Sequence, residues 1–205
     1  MRREDIAEGK EAPVVFSLRL ANALLGIKLW QKEDKVLTLR QTHSDTFHIV
    51  EDFTEGLEGD ALLTQRRGLP LGVKTADCVP VVYVGKKTLA VIHAGWRGLG
   101  ANILEKVFAT FVELEGSEPL FAFVGPSAKA CCYQVGQDFT RSFSALYVKN
   151  SRLFMDTQEE AILRLKKLGI KRLFLYGVCT ICSQRLPSYR RDKTNQRLLT
   201  YAWLL

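Results

Sequence analysis

His43, Cys78 and His93 supply two imidazoles and one thiol, the donor types that zinc takes most readily. A catalytic zinc uses three protein ligands and keeps a fourth position open for water or substrate. Each of the three sits in a compact polar motif: Gln41-Thr42-His43-Ser44, Thr75-Ala76-Asp77-Cys78-Val79-Pro80 and His93-Ala94-Gly95-Trp96-Arg97-Gly98. Taken singly, each is better read as a hydrogen-bonded structural histidine or a small buried thiol. The three together favour a site. The same residue types also allow Cys78 as a nucleophile, His93 as its base and Asp60 or Asp77 as the orienting carboxylate. That arrangement gives His43 no role, whereas a metal employs all three.

A metal-activated reaction also needs proton transfer and substrate contacts. Asp60 and Asp77 are the candidate proton carriers. Arg97, four residues past His93, is the first candidate for holding an anion, followed by Arg190 and Arg191. Gln41, two residues before His43, is a further substrate-binding candidate. Cys179-Thr180-Ile181-Cys182 could join Cys131 and Cys132 as a four-cysteine metal site. Adjacent cysteines chelate one ion poorly and there is no second CxxC, so separate structural thiols are the expectation. Trp96 is a candidate pocket wall or a core residue, and Gly125-Pro126 a strand-ending turn.

The elements that must position these residues are mostly strands. The pattern predicts a hairpin from 36–42 and 46–50 about Ser44-Asp45, which sets His43 at a strand end. Further short strands are predicted at 61–64 and 69–75. The β-branched run 79–84 and the segment 89–93, joined by Gly85-Lys86-Lys87, form a second hairpin. Antiparallel pairing there returns the chain on itself, so positions 78 and 93 come side by side. Leu99, Ile103, Val107, Phe111 and Leu114 form one helical stripe. A second runs over 158–168 and stops at Gly169. The segments 120–124, 172–176 and 198–204 read as strands. Hairpins without regular βαβ alternation point to an α+β domain.

Composition bounds the remaining choices. No repeat or linker divides the 205 residues, and 47% apolar content is that of one ordinary globular domain. Met1-Arg2-Arg3-Glu4-Asp5 is no signal peptide and no run can span a bilayer, so a cytoplasmic protein without membrane contact is expected. Five cysteines argue for reduced thiols. The net charge of +7 favours anionic ligands. The richest basic segment, 185–197, is broken by Pro187, Tyr189 and Asp192, so nucleic acid is not an expected partner.

With Gly59-Asp60-Ala61-Leu62-Leu63-Thr64, Gly125-Pro126-Ser127, Cys131-Cys132-Tyr133-Gln134-Val135-Gly136 and Ser188-Tyr189-Arg190-Arg191-Asp192, the motifs above occur in an order that closely resembles the YfiH-like laccase-domain family. The resemblance covers about residue 36 to the end. It implies a layered α/β/β/α fold with two mixed sheets, and a zinc-dependent enzyme acting on purine nucleosides with phosphate. Phosphorolysis of adenosine, inosine or methylthioadenosine and deamination of adenosine are all implied. The family's metal ligands fall on His43, Cys78 and His93. Copper in place of zinc stays open, but three histidines cannot supply a blue-copper site plus a histidine-rich cluster. Two other readings stay open: a hydrolase editing peptidoglycan precursors, and a non-enzymatic metal or nucleotide binder. No oligomeric state follows.

Two stretches depart from the family pattern. Phe16-Ser17-Leu18-Arg19-Leu20-Ala21-Asn22 replaces a longer arginine- and glycine-bearing segment, with Arg19 a candidate remnant. Thr194-Asn195-Gln196-Arg197 lacks the usual turn glycine, and Asn195 is the residue best able to take a left-handed conformation there.

Overall fold

A computed structural model describes residues 14–20 and 22–205. The charged opening at Met1 and Ala21 lie outside the described residues. Two mixed sheets stack face to face. The six-stranded sheet is built from β4 (Phe47–Ile49), β5 (Ala61–Thr64), β7 (Val79–Val84), β8 (Leu89–Ala94), β9 (Phe121–Val124) and β13 (Leu173–Leu175), in the order β13-β9-β7-β8-β5-β4. The five-stranded sheet holds β1 (Val14–Arg19), β2 (Ala23–Leu29), β3 (Leu37–Thr38), β6 (Leu71–Thr75) and β14 (Leu198–Leu204), in the order β1-β2-β14-β6-β3. A small third sheet joins β10 (Gln134–Val135), β11 (Leu146–Lys149) and β12 (Arg152–Met155). The α+β class stands.

Side-chain alternation divides the six-stranded sheet into two cores. Leu62, Val82, Val84, Val91 and Phe123 face the other sheet, where they meet Leu25, Ile27, Leu71, Val73 and Leu198. Leu63, Val81, Tyr83, Ile92 and Val124 face the helices. A strand buried on both faces cannot alternate apolar with polar, which is why 79–84 reads as one continuous β-branched run. The helices on that side are α1 (Trp96–Gly100), α2 (Ile103–Glu115) and α3 (Thr157–Lys167). They present Leu99, Ile103, Val107, Phe111, Ala161 and Leu165. All three pack on strands of the six-stranded sheet.

The stripe from Leu99 to Leu114 is two helices, because Asn102 takes a left-handed conformation (φ 63°) between α1 and α2. Asp156 caps α3 through the Glu159 N–H, and Gly169 follows it at φ 88°. The hairpin predicted from 36–42 and 46–50 does not form. β3 joins β6 in one sheet and β4 joins β5 in the other, both parallel. The link between them wraps the carboxylate of Asp60, and those bonds outweigh pairing of two very short strands. The second hairpin forms as expected, with Val79 opposite Ala94 and Pro80 opposite His93.

Candidate metal centre and its cleft

The hairpin register fixes two of the three ligands. His93 is the fifth residue of β8 and points toward the space between the sheets, the side its neighbours Leu89 and Val91 also face. Continuing the register beyond Val79 sets Cys78 opposite Gly95. His43 arrives from the loop before β4 in a left-handed conformation (φ 59°). The ligand atoms of His43, Cys78 and His93 all lie within 4.8 Å of one another. Their closeness depends on Gly95. A Cβ there would stand 3.1 Å from Cys78 Sγ and 3.1 Å from His43 Cδ2.

Asp60 is fully buried beneath this cluster. Its Oδ1 lies 2.7 Å from His93 Nδ1 and accepts the His43 N–H at 3.0 Å. Its Oδ2 accepts the Ser44 N–H and hydroxyl at 2.6 and 2.8 Å, and Thr42 from 3.3 Å. Burial alone would raise this carboxyl, but the His93 and Ser44 donors hold it down at about 2. Asp60 therefore fixes the His93 ring and the 42–44 loop and has no oxygen facing the cleft. Its bonds hold the site's frame, and it is not among the residues that line the cleft, where a proton carrier to a substrate was expected.

The electrostatics of the pair Cys78–His93 follow the same logic. Burial pushes the Cys78 thiol up, while the His93 charge and hydrogen bonds from His43 and His93 outweigh it and bring the thiol to about 6. Burial pushes His93 down, while Cys78 and Asp60 lift it to about 9. The pocket thus favours a thiolate, the form of cysteine that binds a metal.

A cleft of about 1060 Å³ opens over the cluster. Its cations are Arg40, Lys74, Arg97, Arg190, Lys193 and Arg197, and its aromatic walls are Trp30, Trp96, Tyr133 and Tyr189. Trp96 is therefore a pocket wall, half-buried beside Phe139. Arg97 lies 4.7 Å over the Trp96 ring and Arg190 lies 4.7 Å over the Tyr133 ring. Lys74 is lowered by its burial and by nearby Arg197.

The remaining predicted residues divide. Gln41 lines the cleft, but its amide is tied at both ends to the Lys74 backbone, at 2.8 Å each. Asp77 also lines it. Its two oxygens accept the Thr180 hydroxyl at 2.7 Å and the Arg190 N–H at 2.6 Å, so it anchors the 180s loop and α4 (Tyr189–Asp192). Arg191 is not in the cleft lining. Its guanidinium donates to the carbonyls of Thr180, Ile181, Ser183 and Leu186 and pairs with Asp192. A cation with that many protein acceptors has none to spare for an anion, so Arg191 is a loop clamp. Arg19 lies at the end of β1, outside the cleft lining. The left-handed residue near the C-terminus is Lys193 (φ 53°), not Asn195.

Lys74, Arg197, Tyr133 and Tyr189 also line the cleft, though the sequence singles out none of them as a site residue. They lie on separate elements, and no local spacing announces them. The four remaining cysteines also depart from expectation: the Sγ atoms of Cys131, Cys132, Cys179 and Cys182 lie within 4.8 Å of one another.

Comparison with known proteins places this geometry in a family. The chain is 42% identical over 207 residues to a protein of Aquifex aeolicus named purine nucleoside phosphorylase, covering 100% of both chains. It is 31% identical to the Escherichia coli protein named purine nucleoside phosphorylase YfiH, covering 83% of this chain and 74% of that one. The fold matches a crystal structure of a Neisseria meningitidis protein with a TM-score of 0.79 at 23% identity, covering 92% of this chain and 98% of that one. The profile of the family described as multi-copper polyphenol oxidoreductase laccase matches residues 12–205, so the chain belongs to that family, the YfiH-like laccase-domain proteins.

Proposed function

We propose that the protein is a zinc-dependent purine nucleoside phosphorylase, cytoplasmic and acting on adenosine, inosine or methylthioadenosine. The observation that carries this reading is the charge of the cleft. Six cationic residues line it against one carboxylate, Asp77, whose oxygens are both engaged. Such a surface suits a phosphate co-substrate, the second reactant of phosphorolysis. The names of the two relatives support the same activity.

His43, Cys78 and His93 would hold the metal: the donor set, its mutual distances and the Asp60 support all fit a zinc site with an open position. When bound, the ion supplies positive charge for the purine as it leaves. Arg97 and Arg190 lie at the same cleft and are the first candidates to hold phosphate for attack on the ribose C1′, with Lys74 and Arg197 adding charge. The C1′–N9 bond breaks as the phosphate oxygen bonds to C1′, and its electron pair departs with the base. Trp96, Tyr133 and Tyr189 offer faces for the purine ring. Gln41 acts by fixing the Lys74 backbone.

The test is release of hypoxanthine from inosine, or adenine from adenosine, with and without phosphate. Strict phosphate dependence, with ribose 1-phosphate as co-product, supports the reading. A second reading rests on Cys78 lying within 4.8 Å of the His93 ring nitrogen, whose imidazole is bonded to Asp60. It makes the protein a hydrolase of peptidoglycan precursors, with turnover independent of phosphate and of metal. Cys78→Ser separates the two: it lowers metal content only if Cys78 is a ligand.

A further inference from the structure

Outside the cleft, the densest group of metal-binding side chains is the set of four cysteines on two separate loops. Cys131 and Cys132 lie in the turn between β9 and β10, where the N–H groups of Cys132 and Tyr133 both donate to the Lys129 carbonyl, at 3.0 and 2.9 Å. Cys179 and Cys182 lie in the turn after β13, closed by the Ser183 N–H on the Cys179 carbonyl at 3.0 Å. The loops are joined at Ser127 and Cys179, with Thr180 N–H bonded to the Ser127 carbonyl at 3.1 Å. All five cysteines of the chain are free thiols.

We propose that Cys131, Cys132, Cys179 and Cys182 form a second, structural zinc site, which staples the loop carrying Tyr133 to the loop leading into α4. Three observations support it. The four sulfurs lie within 4.8 Å of one another, and Cys131 and Cys182 approach to 3.2 Å. A tetrahedral ion with bonds of about 2.3 Å sets its sulfurs about 3.8 Å apart, so small adjustments close the cage. The second observation is the backbone. A tight turn at Lys129 brings two adjacent cysteines to one side, which overcomes the poor chelation expected of neighbours in an extended chain. The third is charge. Four thiolates around a divalent ion leave two negative charges, and cations already grip these loops: Lys149 donates to the Ala130 carbonyl at 3.1 Å, and Arg191 to Thr180 and Ile181 at 2.9 and 3.0 Å. A disulfide would use two of the four sulfurs and leave the others crowded against it. The site is closed, with four protein ligands and no open position, so it holds structure and performs no chemistry.

The experiment is elemental analysis of protein purified under reducing conditions, with cobalt titration of the metal-free wild-type chain as a measurement that needs no variant. Two zinc ions per chain are expected. Cys182→Ser lowers this to one and removes the stronger sulfur-to-cobalt charge-transfer band. His43→Ala also lowers it to one but leaves that band. If only the Cys182→Ser variant loses metal, the four-cysteine site stands and the His43 centre falls; the converse overturns the present proposal alone. A wild-type mass two hydrogens low, with two fewer titratable thiols after purification under reducing conditions, would also overturn it in favour of a disulfide. So would a cobalt spectrum with one thiolate ligand.

Discussion

His93 and Asp60 are bonded twice: the Asp60 carbonyl accepts the His93 backbone N–H at 2.7 Å, and the Asp60 carboxylate meets His93 Nδ1 at 2.7 Å. The first bond sets the strand position and the second sets the ring, with Nδ1 bound to the carboxylate and Nε2 left for a ligand. One buried carboxylate thereby positions two of the candidate ligands, because it also holds the His43 loop.

Replacing Asp60 with Asn keeps the shape and removes the charge. The expected result is a loss of metal affinity of roughly 10- to 100-fold, the usual consequence of removing such a support. Isothermal titration of the metal-free variant with zinc checks it, and unchanged affinity would contradict the positioning role.

The acid limb of stability follows from the same group. Asp60 is held at about 2, against an ordinary value of 3.8. A depressed carboxylate stabilises the fold fully above its unfolded value and loses that contribution as pH falls through its folded value. In the metal-free protein, the ionised form contributes about 2 kcal/mol at neutral pH. The stability gap between wild type and Asp60→Asn should therefore be level between about pH 5 and 6 and narrow as pH falls from about 4 toward 2; it should narrow again as pH rises from about 6.5 toward 9, because Asp60 also lifts His93. Denaturant titrations at a series of pH values measure this.

Gly95→Ala tests the cluster sterically. Gly95 has φ −70° and ψ 166°, open to any residue, so alanine brings no backbone strain. Its Cβ would sit 3.1 Å from both Cys78 Sγ and His43 Cδ2. Metal binding should weaken at least tenfold while the metal-free thermal midpoint moves little. A metal affinity equal to wild type would show that the three ligands have more room than their packing indicates.

Neighbouring arginines should behave oppositely. Arg190→Ala should raise the KM for phosphate by roughly tenfold to a hundredfold, the cost of a charge-assisted hydrogen bond, with a small change in stability. Arg191→Ala removes the clamp on four carbonyls and should lower the thermal midpoint more than Arg190→Ala does. Steady-state kinetics and thermal melts on the pair give the comparison. A stable Arg191→Ala with a raised KM would reverse the two assignments.

The local patterns of the chain determined a good part of this molecule by themselves. Val79–Val84 and Leu89–Ala94 form one hairpin whatever surrounds them, because a β-branched run, a Gly-Lys-Lys turn and a second apolar run have few other ways to pair. That hairpin alone brings Cys78 near His93, and the motifs around them identified the family. Only the tertiary structure decided the rest. The loop holding His43 looked like a hairpin turn, yet it is shaped by a carboxylate 17 residues away. Arg190 and Arg191 are neighbours of one type, and the direction each side chain takes from α4 sends one to the cleft and the other to loop carbonyls. The cysteine pairs lie 51 residues apart at Cys131 and Cys182, and parallel pairing of β9 with β13 is what brings their loops together. Spacing along a chain reveals what lies within one turn or one hairpin; contacts made by packing distant elements are set by the whole core, and no short motif records them.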